Sequence, residues 1–255
     1  MKLTFLGTGT SQGIPVIGCD CMVCKSKDAR DKRLRCAALL QDKDTTLLID
    51  SGPDIRYQSL RSEIQKVNAV LISHEHYDHT GGLDDLRPFM FMQDAPLPLY
   101  AQHDVMNTFK IKYDYAFGSE SYPGSPRFDL FEIQPARAFK INDTNILPLD
   151  VIHGKLHILG FKINDKLAYI TDANQLLQPT IDQTTGIDCL VINALHHRPH
   201  HSHFTLDETL QVIEKINPRS AYIIHMSHHM GLHADMQVTL PGHVHFAFDM
   251  LSVEI

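Results

Sequence analysis

Three imidazoles and an aspartate, His74, His76, Asp78 and His79, fall within six positions of this 255-residue sequence, in the run Ser73-His74-Glu75-His76-Tyr77-Asp78-His79-Thr80-Gly81-Gly82. Alternate side chains of an extended segment face the same way, so His74 and His76 can converge on one ion. Asp78 and His79 then suit a second. Neutral imidazole with carboxylate favours zinc, iron or manganese, whereas calcium and magnesium recruit mostly oxygen. Such a density of ligands after an apolar strand points to a metal loop rather than a solvated polar turn.

A second cluster, Cys19, Cys21 and Cys24, has the spacing Cys-x-Cys-x-x-Cys. Three thiolates so close can fill three corners of a zinc tetrahedron; one distant ligand completes it and no position stays open for chemistry, so the expectation is a structural zinc. A redox Cys-x-x-Cys is disfavoured because no thioredoxin-like strand and helix flank it. His228, in His225-Met226-Ser227-His228-His229, is the candidate fourth ligand. A third run, His196-His197-Arg198-Pro199-His200-His201-Ser202-His203, holds five histidines that cannot all be ligands. It leads into Thr205-Leu206-Asp207-Glu208, which has capping-box spacing, so His203 precedes a helix N-terminus. Such an end attracts anions, and a phosphate there would meet a dipole and an imidazole. His200 and His201 compete with His203 for that role.

The elements that must position these groups are legible as runs. Leu3 to Leu6, Ala69 to Ile72, Ile146 to Ile152, Leu156 to Ile163, Leu167 to Ile170, Ile187 to Ile192 and Ala221 to Ile224 read as buried strands, several ending in ligand-type residues. Residues 36–41 and 45–50 flank Asp42-Lys43-Asp44 as a hairpin ending in Asp50-Ser51-Gly52. A helix is expected from Pro53 through Ile64, another from Leu206 to Ile216 ended by Pro218, and a closing pair of edge strands over Val244 to Ile255. Residues 87–127, with Pro88, Pro96, Pro98, Pro123 and Pro126 and aromatics that include Tyr113, Tyr115 and Tyr122, read as one helix among irregular segments, substrate-facing or dimer-forming. His157 is an ordinary strand histidine, and Cys36 and Cys189 are buried fillers.

At 43% hydrophobic content with no linker or repeat, the expectation is one domain over residues 1–255, with a zinc-binding cysteine loop at about 18–36. The formal charge of −7 argues against a general nucleic-acid surface. No run is long and apolar enough for a transmembrane span, and the first residues read as a strand rather than a signal peptide. Clustered thiols suit a reducing compartment. A cytoplasmic protein with no membrane partner is expected.

The His-x-His-x-Asp-His pattern at 74–79 resembles the motif of the metallo-β-lactamase superfamily. Leu6-Gly7-Thr8-Gly9, Gly18-Cys19-x-Cys21-x-x-Cys24, His153, Asp172, His203-x-x-Leu206 and His225-Met226-Ser227-His228 narrow the resemblance to the PhnP-like phosphoribosyl 1,2-cyclic phosphate phosphodiesterases. It implies an α/β (α+β) fold, an αββα four-layer sandwich with mixed, mostly antiparallel sheets. It also implies two divalent ions, manganese or zinc, besides the structural zinc: His153 completes the first site, Asp172 bridges both and His225 closes the second. The activity implied is hydrolysis of cyclic or small phosphodiesters by a metal-bridged hydroxide, with His203 and Asp78 as catalytic residues, a small phosphodiester as partner and a homodimer as assembly. Three rivals share parts of the pattern. They are a transfer-RNA 3′-processing endonuclease, whose His-Glu-Ala-Thr-like segment would fall near Asn193-Ala194-Leu195 without its glutamate; a thioester or lactone hydrolase; and a non-catalytic carrier like the PQQ synthesis protein B family.

Overall fold

A computed structural model of the protein describes residues 1–117 and 124–255, among which fifteen strands form two sheets. The first sheet contains β1 (Lys2–Gly7), β2 (Ala37–Asp42), β3 (Thr45–Ile49), β4 (Ala69–Leu71), β5 (Leu97–Ala101), β6 (Phe128–Glu132) and β15 (Ser252–Glu254) in the order β15-β1-β2-β3-β4-β5-β6. The second contains β7 (Phe139–Ile141), β8 (Thr144–His153), β9 (Leu156–Ile163), β10 (Leu167–Tyr169), β11 (Gln175–Leu176), β12 (Cys189–Asn193), β13 (Ser220–Ile224) and β14 (Val244–Phe246). Its order is β11-β8-β9-β10-β12-β13-β14, with β7 on β8. Each sheet is antiparallel on one side and parallel on the other; β3, β4, β5 and β6 run parallel, as do β10, β12, β13 and β14.

Strands buried on both faces read as unbroken apolar runs, and the reason is visible in β3. Leu47 and Ile49 point into the core between the sheets, packed with Phe161, Tyr169 and Val191, while Leu48 joins an outer core with Ile55, Phe89 and Phe109. The alternation of side chains across a strand divides the run between two layers. β12 does the same, sending Val191 inward and Leu190 and Ile192 outward against Leu206, Val212, Ile213 and Ile216 of the helix Leu206–Ile216. Two sheets with helices on both outer faces make the αββα sandwich.

Local chemistry moves several boundaries. The helix expected from Pro53 to Ile64 spans only Ile55–Arg61. Asp54 is held outside it by Arg35, whose backbone N–H and guanidinium both donate to its carboxylate, and Ser62 closes the last turn by donating to the Gln58 carbonyl at 2.7 Å. Val244 to Ile255 does not form a strand pair. β14 lies parallel to β13 at one edge of the second sheet and β15 antiparallel to β1 at an edge of the first, so the last residues clasp both layers. Residues 87–127 are more regular than expected: the helix Arg87–Gln93 is followed by β5 and by the helices His103–Lys112 and Asp114–Phe117. Tyr122 and Pro123 lie outside the described residues. Tyr113 donates to the Thr80 carbonyl at 2.8 Å and Lys112 to that of Glu75 at 3.2 Å, so this helical arm braces the loop after β4. No helix among the described residues is long and apolar enough to cross a membrane.

Candidate metal centre

Strands β4, β8, β10 and β13 all run out at one edge of the sandwich, and the residues that follow or end them meet there. His74, His76, His153 and Asp172 bring one ligand atom each to within 4.8 Å of one another, and so do Asp78, His79, Asp172 and His225. Asp172 belongs to both sets. His74 Nε2 and His76 Nδ1 stand 2.9 Å apart, and Asp172 Oδ2 lies 3.8 Å from His74 Nε2 and 3.2 Å from His225 Nε2. On the other side His79 Nε2 is 3.3 Å from Asp78 Oδ2 and 3.4 Å from Asp172 Oδ1, and His225 Nε2 is 3.5 Å from Asp78 Oδ2. All seven side chains except His76 are buried.

Backbone geometry aims these groups. Asp50, Asp172 and His225 each adopt a left-handed φ of about 60°, at 61°, 59° and 59°, so the chain turns sharply as it leaves β3, β10 and β13. Non-glycine residues enter that region seldom, and aspartate and histidine more readily than bulky or branched residues. Gly52 is required by close approach: a Cβ there would lie 2.0 Å from the Asp78 carbonyl oxygen, where the turn after β3 is pressed against the metal loop. Ser51 N–H donates to the His79 carbonyl at 2.7 Å, locking the two turns together.

Partners on Nδ1 decide which ring nitrogen faces the centre. The His79 Nδ1–H donates to Asp50 Oδ2 at 2.7 Å and that of His153 to the Ser202 carbonyl at 2.7 Å. Ser73 spends its hydroxyl proton on Asp50 at 2.8 Å, so at 3.0 Å it accepts from His74 Nδ1–H. All three rings therefore turn Nε2 toward the centre and leave it as the nitrogen available to a metal. His79 Nε2 and His225 Nε2 are buried with no hydrogen-bond partner among the described residues. Burial pushes the Asp172 carboxyl up, but the His225 and His79 imidazoles outweigh it and hold it well below the usual carboxylate range. Likewise burial pushes His79 down while Asp172, Asp78 and Asp50 hold it well above the histidine range. Unpartnered imidazole nitrogens beside an excess of buried carboxylate are a donor set that fits a pair of divalent cations.

The thiolate cluster sits nearby. Cys19, Cys21 and Cys24 Sγ lie 3.3, 3.4 and 3.5 Å from His228 Nδ1. A tetrahedral zinc with Zn–S of about 2.3 Å and Zn–N of about 2.0 Å would set S and N roughly 3.5 Å apart, so the four residues fit that ion. The Cys24 backbone N–H and His228 pull the Cys21 thiol down to about 6 against its burial, whereas burial pushes Cys24 up to about 11. His228 opens a short turn, His228–Met230, three residues beyond His225. The cysteine loop is thereby placed against the wall of the larger centre.

His203 is stacked on His225 with ring centroids 4.8 Å apart and lies 4.8 Å from His153. Its Nδ1 is buried and unpartnered among the described residues, and burial, then His225, push its pKa down to about 2. The capping box forms, with Thr205 accepting from Glu208 N–H at 3.2 Å and Glu208 accepting from Thr205 N–H at 2.8 Å. Leu206 N–H donates to the His196 carbonyl at 3.0 Å, so three N–H groups at this helix start have partners within the chain. His203 reaches the centre by ring packing. His157 stays on β9, paired with Asp150 at 2.9 Å, and Cys36 and Cys189 are buried.

Two positioning groups were not singled out as such from the sequence. Asn193 is wholly buried at the end of β12, and its side-chain amide accepts from Ala173 N–H at 2.6 Å and donates to the Ala173 carbonyl at 2.9 Å, fixing the residue after Asp172. Ser73 links Asp50 to His74. The available signal was a polar residue closing the apolar run Val191-Ile192-Asn193.

Comparison with known proteins agrees with this geometry. A family model described as a beta-lactamase superfamily domain matches residues 45–226. A solved structure described as a new diphosphatase from the PhnP family superposes with a TM-score of 0.92 at 35% identity, covering 99% of this chain and 96% of that one. Among curated relatives, an octanoyltransferase of Porphyromonas gingivalis is 38% identical over 100% of this chain and 52% of its own length. A coenzyme PQQ synthesis protein B of Methylorubrum extorquens is 29% identical over 42% of this chain and 38% of its own length. The chain matches about half the length of the first of these curated relatives and less of the second.

Proposed function

The chain belongs to the metallo-β-lactamase superfamily, in its PhnP-like branch, and from that premise we propose that it is a metal-dependent hydrolase of small or cyclic phosphodiesters. The observation that carries this reading is the sharing of Asp172 between two complete donor sets with His203 packed against both. His74, His76, His153 and Asp172 would hold one ion, Asp78, His79, Asp172 and His225 the other, and Cys19, Cys21, Cys24 and His228 a zinc. Ions so placed supply Lewis-acid polarisation of a phosphoryl oxygen and lower the pKa of bound water towards neutrality.

The protein's own contribution is position and protons. Two carboxylate oxygens let Asp172 serve both sets at once, which an imidazole cannot do. Asp50, Ser73 and the Ser202 carbonyl keep the ring nitrogens of His79, His74 and His153 directed inward. Among the described residues His203 is the one imidazole in ring contact with both sets that neither set uses, so it is free to hand a proton to the leaving oxygen. Burial keeps it neutral in the free protein; an anionic phosphoryl group against the ring favours its charged form and reverses that direction. The diphosphatase named for the PhnP-family structure involves attack at phosphorus too, so diphosphates belong to the same substrate class. The octanoyltransferase name describes a protein of about twice the matched length.

Elemental analysis of purified protein together with hydrolysis of a panel of phosphodiesters, phosphomonoesters, diphosphates, thioesters and lactones tests this. We expect about three ions per chain and diester or diphosphate turnover above all other classes. Full activity after complete metal removal, or preference for a thioester, lactone or monoester, would overturn it.

A further inference from the structure

Of the seven side chains assigned to the paired centre, His76 is the one whose ring is held neither by burial nor by a second hydrogen bond. His74, His79 and His153 each give Nδ1–H to a fixed acceptor and turn Nε2 inward. His76 is reversed. Its Nδ1 stands 2.9 Å from His74 Nε2, and its Nε2 has no hydrogen-bond partner among the described residues. It is also the exposed member of a set whose other three residues are buried.

The aim of this ring is therefore inherited from its backbone, and that backbone is gripped from the helical arm. The His76 carbonyl accepts from Thr80 Oγ1 at 2.9 Å, and the Thr80 carbonyl accepts in turn from the Tyr113 hydroxyl at 2.8 Å. The Glu75 carbonyl, one residue before His76, accepts from Lys112 Nζ at 3.2 Å. Lys112 ends the helix His103–Lys112 and Tyr113 follows it, so two consecutive residues hold the two ends of the segment 75–80. The grip has a firm base. Phe109 of this helix is wholly buried in the outer core with Val105 and Met106, and the Tyr113 ring packs edge-on to it with centroids 6.4 Å apart. The other set is tied down elsewhere: Asp50 accepts from His79 Nδ1–H, Ser51 N–H donates to the His79 carbonyl, and the Asp78 carbonyl is pressed against Gly52, all from the turn after β3.

We propose that Tyr113 and Lys112 are positioning residues for the ion of the His74, His76, His153 and Asp172 set, acting through Thr80 and the Glu75 carbonyl to hold His76 in its ligating pose. The proposal rests on the two-ion part of the reading above. A segment already held in that pose loses little conformational freedom on binding, whereas a released one is ordered at the expense of affinity. Releasing the arm thus makes the His76 side the one that gives up its ion first.

Cadmium NMR of the loaded protein separates the sites by donor type: three imidazoles with a carboxylate, two imidazoles with two carboxylates, and three thiolates with an imidazole. Titration with a chelator then reads the order of release. Tyr113→Phe removes one hydroxyl and keeps the ring; it should weaken the three-imidazole site about tenfold and leave the other two within about twofold. Thr80→Val should do the same, and the double variant should be little weaker than either alone, because both changes break one chain of contacts. Lys112→Met, at an exposed contact, should weaken the same site by about threefold. Turnover of Tyr113→Phe should fall at limiting metal and return with excess metal. Equal weakening of both sites of the centre, unchanged affinity, or additive losses in the double variant would overturn the proposal. If Tyr113→Phe does not fold, Lys112→Met decides by the same titration, and unchanged release from the three-imidazole site refutes the role. Should the unmodified protein show the thiolate resonance alone, the two-ion reading falls first and the positioning role falls with it.

Discussion

The thiolate cluster takes three of its four candidate ligands from Cys19 to Cys24, whereas the candidate ligands of the larger centre are spread from His74 to His225 and follow or end four different strands. The first can assemble from one short loop and needs the sandwich only for His228. The second exists only when both sheets are in register. The contrast extends to environment: Cys19, Cys21 and His228 are partly exposed, while Asp78, His79, Asp172 and His225 are all buried. A local, partly exposed cluster suits the stapling of a loop. A buried cluster drawn from distant strands holds unpartnered nitrogens and excess carboxylate in place before any ligand arrives, which is the condition for chemistry.

Asp172→Asn should do the most damage, because it weakens both ligand sets at once. We expect both ions of the larger centre to be lost or loosened, the cysteine-bound zinc to stay, and turnover to drop by about 10³-fold or more. Retention of both ions at full affinity would break the claim that the sets share one carboxylate. His203→Ala comes next. Metal content should be unchanged, and hydrolysis of esters with poor leaving groups should slow by about 10² to 10⁴, while p-nitrophenyl esters change little. Equal loss for both would make His203 a binding residue, and the same dependence in His200→Ala or His201→Ala alone would move the role to that residue.

A smaller effect is expected for Asp50→Asn, which leaves every proposed ligand in place but replaces a charged acceptor of His79 Nδ1–H. Affinity for the ion on the His79 side should weaken by about 10 to 100-fold, read by competition with a chelator, with the His74 side less affected. Cys21→Ser should touch turnover least. It should release one zinc and lower the melting temperature by about 5 °C or more, yet leave kcat per folded molecule close to that of the unmodified protein. A catalytic collapse without loss of stability would erase the distinction between the two clusters.

Much of this architecture is legible in runs and spacings. The apolar stretches at 47–49, 69–71 and 189–192 are strands because both of their faces are covered, and the capping box at Thr205 and Glu208 forms as its spacing implies. The helix after Gly52 is shorter than proline and periodicity suggest because Arg35, nineteen residues away in sequence, captures Asp54. The last twelve residues read as one strand pair because alternation reveals a strand but not its neighbour.

By itself the sequence determined the chemistry available: which residues could ligate, that three thiols lie within one loop's reach, and that strands end in imidazoles and carboxylates. Folding decided what each histidine does. Seventeen histidines are alike as letters, and a ring is a metal ligand or a proton donor according to the group that meets its Nδ1. Asp50 and the Ser202 carbonyl engage Nδ1 of His79 and His153 and leave Nε2 to face the centre, and they lie 29 and 49 residues away in sequence. For His196 and His200 the partners are only two residues distant, but a backbone N–H reaches the ring only in the loop conformation that the sandwich imposes. A neutral imidazole carries one proton for two nitrogens, so its tautomer is fixed by tertiary contact, and with it the division between ligand and donor.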